Sequence, residues 1–216
     1  MPPPKSPVLW LDGVVVPPLW RCTRAVLEAH GVRADPGLCF ALIDLGRELG
    51  AGAISGEEYC RRVIARAALP LSSEQLAAAI ESRIEPAPGM VNLLDEISPT
   101  WRCYLLADYP PRWLLAALSA GGLARHFPED RIVITAHITS ADQPAAALEM
   151  LAALRLSPEE SLLIDGDPLR AMALFRAGLS VTTFVDALRL RREFVLWSML
   201  PSEGLRLRPA PQDHSA

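Results

Sequence analysis

The stretch VLWLDGVVVP, Val8 to Pro17, runs four apolar residues into Asp12-Gly13 and then returns to branched aliphatics. A short apolar run without alternation is how a strand buried on both faces reads. Four more runs share that character: RCYLLA (Arg102–Ala107), RIVIT (Arg131–Thr135), SLLID (Ser161–Asp165) and VTTFV (Val181–Val185). Helical patterns separate them. PRWLLAALSAGGL starts at Pro111 and loses helix propensity at Gly121-Gly122. PAAALEMLAALRL starts at Pro144 and stops before Ser157-Pro158. DPLRAMALFRAGL has Pro168 near its start and Gly178 near its end, and DALRLRREFVLWSML follows the last strand. Strand and helix alternating at this spacing predict an α/β chain with a Rossmann-like parallel sheet flanked by helices.

Between the first and second strands the pattern changes. From Leu19 to Asn92 almost everything is helical: LWRCTRAVLEAHG, GLCFALIDLGRELGAG, SGEEYCRRVIARAAL and SSEQLAAAIESRI. Ser55 with Glu58, and Ser72 with Gln75, have the S-x-x-E/Q spacing of helix N-termini. EPAPGM (Glu85–Met90) then punctuates the chain. The organisation expected is a core over residues 1–16 and 89–198, a small all-helical cap over 17–88 inserted after the first strand, and a loose tail over 199–216. The linkers around Val16–Pro18 and Pro86–Gly89 are where such a cap would hinge.

The 216 residues are half hydrophobic and carry a formal net charge of -4, so a sizeable core can form and a nucleic-acid partner is not expected. Cys22, Cys39, Cys60 and Cys103 form no CxxC pair, which predicts reduced, buried thiols instead of structural zinc. The N-terminal apolar run is broken by Asp12, too early for a signal peptide. No run approaches the roughly 18 apolar residues of a membrane span. A cytoplasmic protein without a membrane partner is expected. Lys5 is the only lysine.

The hLDGVhh pattern on the first strand, with a helical insertion just after it, resembles the haloacid dehalogenase superfamily from Val8 to about Trp197. LGRELGAGAISGEEYCRRV (Leu45–Val63) is similar to cap helices of its small-cap branch. PAPGMVNLLDEI with WRCYLLADYPPRWL is similar to the lead into its second motif, and SPEESLLIDGDPLRAMALFRAGL to its last. The resemblance implies four motifs at the C-terminal edge of the sheet. They are a D-x-D pair (nucleophile, then general acid/base), a Ser or Thr that holds the transferred group, a Lys, and an acidic pair that ligates Mg²⁺.

Against that pattern the chain departs at several places. Asp12 matches the second Asp of D-x-D, and Trp10 stands where the nucleophile should. Ala107 replaces the hydroxyl residue, and Asp108 follows it. The lysine motif reads ADQP, Ala141–Pro144. The last motif reads IDGDP: Asp165 matches the first acid, Gly166 stands where a second often is, and Asp167 comes one residue later. The expected function is therefore a non-catalytic binding or interaction protein, for a small molecule or a protein. The alternatives are a hydrolase (phosphatase or dehalogenase) acting on a small phosphorylated or halogenated metabolite, and a metal-dependent enzyme with different chemistry.

Each polar residue carries two readings. Asp12 is a vestigial acid/base or a brace for the cap linker. Trp10 is a plug in the pocket or a platform for a flat ligand. Asp12 and Asp165 are the residues that could share a metal. No cofactor is expected otherwise, with Mg²⁺ the one ion such a cluster could take. Trp10, Ala107, Asp108, His137 and Asp167 are expected to line the pocket, His137 as a loop histidine or a base.

Overall fold

The computed structural model describes residues 6–138 and 143–200. Lys5, Ala141 and the chain from Pro201 lie outside the described residues. Five parallel strands form one sheet in the order β3-β2-β1-β4-β5. They are β1 (Ser6–Trp10), β2 (Tyr104–Ala107), β3 (Ile132–Ile134), β4 (Ser161–Asp165) and β5 (Val181–Thr183). The central apolar runs become strands because their residues have almost no solvent face to satisfy, while β3 and β5 at the edges are part-buried. Val8, Leu9, Leu105, Leu106 and Ile164 are all fully buried.

Nine α-helices stand among the described residues. Four precede the second half of the sheet: α1 (Leu19–Ala29), α2 (Pro36–Gly50), α3 (Gly56–Ala67) and α4 (Ser73–Glu81). α5 (Met90–Ile97) leads into β2, and α6 (Pro111–Ser119), α7 (Gln143–Ala153), α8 (Pro168–Arg176) and α9 (Ala187–Leu196) follow the later strands. α6 ends where expected, because Gly121 and Gly122 take left-handed φ values of 57° and 71°. Ser72 completes a capping box with Gln75. At Ser55 only half of the box forms: its Oγ accepts from Glu58 N at 3.1 Å. The Glu58 carboxylate instead turns outward to the Arg61 and Arg62 guanidinia, which attract it more strongly than a neutral N–H.

β1 is central. Trp10 lies beside Leu106 of β2, and Leu9 beside Ile164 of β4. Parallel neighbours in this register bring the residues after β1, β2 and β4 to one edge, where open α/β sheets place their ligands. α2 ends against that edge. Thr135 Oγ1, just after β3, donates to Gly50 O at 2.8 Å, and a side-chain atom on Gly50 would stand 3.1 Å from Asp108 Cβ. Behind it, Tyr59 of α3 meets Trp113 of α6 edge-on, with ring centroids 5.8 Å apart.

Two expectations fare differently here. Met199 and Leu200, assigned from sequence to a loose tail, are buried, and the Trp101 indole donates to Met199 O at 2.8 Å. The four thiols are free, with Cys22, Cys60 and Cys103 buried and Cys39 only partly so. No described helix is long and apolar enough to cross a membrane.

Candidate functional site

After Trp10 the chain makes a tight loop. Leu11 N still donates to Leu106 O at 2.9 Å, then Gly13 N bonds Val16 O at 2.9 Å and Val16 N bonds Leu11 O at 3.1 Å. Gly13 turns the corner at φ 78°. The fourth-motif loop presses on it so closely that a Cβ at Gly166 would lie 2.5 Å from Gly13 O. Any side chain at 166 would thus meet the Gly13 backbone.

Asp12 faces the start of α1. Its Oδ1 accepts from Leu19 N at 2.5 Å, the first residue of α1, and from Tyr109 OH at 2.8 Å. Tyr109 OH also lies 3.3 Å from Pro17 O, and Asp12 N donates to Asp108 Oδ1 at 3.1 Å. Burial raises the Asp12 carboxyl above its ordinary range, opposed by the bonds from Leu19 and Tyr109 and by the Arg170 charge. Burial and the adjacent Asp12 push Asp108 up to about 7.

Asp165, at the end of β4, is fully buried and saturated. Arg170 Nε donates to its Oδ2 at 2.6 Å, Arg170 Nη2 to its Oδ1 at 2.8 Å, and Asp167 N to the same Oδ1 at 2.8 Å. The guanidinium carbon of Arg170 lies 4.2 Å from the centroid of the Trp10 ring, which is 2% exposed. Burial works against the charged guanidinium, and the hydrogen-bonded Asp165 carboxylate more than offsets it, so the group stays cationic. Asp167 caps α8, its Oδ1 accepting from Leu169 N at 2.9 Å, and its Oδ2 lies 3.4 Å from Arg47 Nη2 of α2.

A cavity of about 690 Å³ opens between α1, α2 and this edge. Trp10, Asp108 and Asp167, three of the five residues named for the pocket from sequence, line it, together with Asp12. Trp20, Leu42 and Met150 supply apolar wall. Two expected lining residues stand elsewhere. Ala107 is fully buried within β2, and His137 is exposed at the end of the short helical turn Thr135–His137 that follows β3, outside the wall. Asp165 lies beneath Arg170 and does not reach the cavity wall. Sequence reasoning missed Arg170, Arg47 and Tyr109. The signal for Arg170 was present: a chain with no lysine after Lys5 must balance its acidic edge with arginine, and Arg170 follows IDGDP within one helical turn.

No family model matches the chain, and no curated protein matches it in sequence. Solved structures do. A HAD family enzyme from Bacteroides thetaiotaomicron superposes with a TM-score of 0.64 at 16% identity, over 85% of this chain and 94% of that one. L-2-haloacid dehalogenase from Xanthobacter autotrophicus, with chloropropionic acid covalently bound, gives 0.61 at 18% identity, over 92% and 85%. The fold is that of the haloacid dehalogenases. A second structure of the Bacteroides enzyme, a complex with magnesium and inorganic phosphate, gives a TM-score of 0.58 at 15% identity.

That complex poses the question of Mg²⁺ on this version of the haloacid dehalogenase fold. The residues do not fit it. Mg²⁺ requires free carboxylate lone pairs at about 2.0–2.1 Å. Both oxygens of Asp165 already accept from the Arg170 guanidinium, whose positive charge also repels a cation, and Asp12, bonded through Oδ1, has only Oδ2 to offer. Among the described residues, no three His, Cys, Asp or Glu side chains are grouped to hold a metal ion.

Proposed function

We propose that this chain is a non-catalytic binding protein built on the haloacid dehalogenase fold, holding a small molecule in the crevice between cap and sheet. One observation carries the reading: at the end of the central strand stands the buried indole of Trp10, covered by Arg170. By resemblance this is the position of the attacking carboxylate, and an indole forms no ester or acyl-phosphate intermediate. Ala107 adds no hydroxyl, and the described edge carries arginine in place of lysine. The cavity's mixed walls, apolar with a few converging polar groups, are those of small-molecule sites.

The test is a turnover panel. Purified protein with Mg²⁺ is offered p-nitrophenyl phosphate, phosphorylated metabolites and 2-chloropropionate, and the expected rate equals that of a denatured control. A thermal-shift screen of small molecules on the same protein is expected to yield ligands whose effect is lost when Leu42→Arg fills the cavity. The second reading is a hydrolase acting on a small phosphorylated or halogenated metabolite. Asp12 and Asp108 favour it, as carboxyls at the cavity wall held above their ordinary range. Turnover that disappears in Asp12→Asn decides for it.

A further inference from the structure

We propose that the outer surface of α7 and α8 is a dimer interface, on which a second copy of this chain packs across a two-fold axis. The strand order puts both helices on one face of the sheet. From β3 to β4 and from β4 to β5 the chain advances the same way, so right-handed crossovers carry α7 and α8 to one side, where they pack on each other. The steps from β1 to β2 and from β2 to β3 run the other way and take α5 and α6 to the opposite face, where α9 packs against α5.

The outer surface of α7 and α8 is apolar where a solvent-facing layer would be charged. α7, QPAAALEMLAA, has one charged residue, Glu149, and apolar residues on every side, the composition of a helix covered all round. Yet Leu148 is 45% exposed. On the neighbouring α8, Leu169, Met172 and Phe175, at i, i+3 and i+6, are exposed by 63%, 44% and 68%. The exposed leucines of α9, Leu188 and Leu196, belong instead to a helix that also carries Arg189, Arg191 and Arg192. A whole aromatic side chain offers about 150–250 Å² and an aliphatic one somewhat less, so the four exposed side chains leave on the order of 400 Å² of apolar surface. That is about half of the ~800 Å² each partner buries in a standard interface, the share an apolar centre takes within a polar rim.

Symmetry and charge choose a second copy as the occupant. The stripe on α8 is centred on Met172, with a large apolar residue three positions to either side, so a two-fold axis beside Met172 lays Leu169 of each copy toward Phe175 of the other. α8 begins at the Asp167 cap and closes on Arg176. The same axis reverses one α8 against the other. It turns the basic end of each helix toward the acidic end of its partner and opposes their dipoles.

The experiment is sedimentation velocity on the full chain from about 1 to 100 µM, and a dimer with Kd at or below about 10 µM is expected. Phe175→Glu puts a carboxylate on the exposed stripe. It is expected to keep the wild-type circular dichroism spectrum and to weaken the dimer at least tenfold; should it lose the fold, Leu169→Lys makes the same test. Met172→Cys, oxidised with copper phenanthroline, is expected to give a disulfide-linked dimer, because the axis brings the two thiols within bonding reach. Wild type, whose cysteines are free, and Leu115→Cys, exposed on α6 of the opposite face, are expected to give none. A chain that is monomeric at 100 µM overturns the proposal. So does a dimer that the folded stripe variant leaves at wild-type strength, or a crosslink at position 115 in place of 172. Association is read here without ligand or substrate, so its outcome is separate from that of the turnover panel.

Discussion

At the scale of single residues, Trp10, Arg170 and Asp165 form a stack in which each member answers a need of the next. The carboxylate needs a counter-charge in a place water does not reach, the guanidinium needs a face to lie on, and the indole fills the end of the strand. Trp10→Ala removes both the volume and the π-face, and a loss of about 3–5 kcal/mol is expected in urea unfolding. Asp108 supplies a pH signature. Its native pKa of about 7 stands above the roughly 3.9 of an unfolded aspartate. The native state therefore holds the proton more tightly. The stability this contributes is fully present below about pH 4 and is lost as pH rises through 7. Asp108→Asn is expected to melt above wild type at pH 8 and to lose that advantage near pH 4. Each ~1 kcal/mol corresponds to about 2–4 °C in a chain of this size, so melting curves at the two pH values decide. Of this stack the sequence displayed Trp10 and Asp165 by their places in motifs. Arg170 offered only an indirect sign, its place just after IDGDP in a chain without later lysines, because the Trp10 face it lies on is 160 positions earlier.

At the scale of elements, strands were the most legible part. The buried central strands β1, β2 and β4 read as apolar runs and the part-buried edge strands β3 and β5 as short β-branched ones, so all five appeared in the sequence within two residues of their observed ends. Helix starts were also legible through Ser55 and Ser72, whereas the fate of the Glu58 carboxylate depended on two arginines that S-x-x-E does not mention. Loops were least legible, since their geometry is set by what they press against. Gly13 and Gly166 are one such pair. Gly166→Ala places a methyl carbon against the Gly13 carbonyl, and a loss of about 1–3 kcal/mol is expected, with Gly166→Asp worse. Denaturant midpoints of the two variants check this. Asp12 does its structural work at the joint between β1 and α1. Asp12→Ala leaves Leu19 N without its acceptor at the first turn of α1 and frees Tyr109 OH. Hydrogen exchange at Leu19 is expected to rise at least tenfold in that variant, with the β1 amides unchanged.

At the scale of the whole molecule, the two linkers that lead into and out of the helices α1–α4 lie against each other. Val14, Val15 and Val16 are fully buried, and Ala87 N on the returning linker donates to Val15 O on the outgoing one at 2.8 Å. The two linkers thus hold each other, a long-range pairing that no local pattern of Pro and Gly announces. Exchange at Val16 and Ala87 is expected to be as slow as in the sheet. Fast exchange at both would instead mark a hinge. The cavity between α1, α2 and the sheet edge also has an optical consequence. Trp10 belongs to the core and Trp20 to α1, and both line the cavity, whereas Trp101, Trp113 and Trp197 do not. One fluorophore on each lip, the inner one beneath a fixed positive charge, makes the chain its own reporter: whatever enters the crevice alters the polarity around two indoles at once, and the emission spectrum records its arrival without a label.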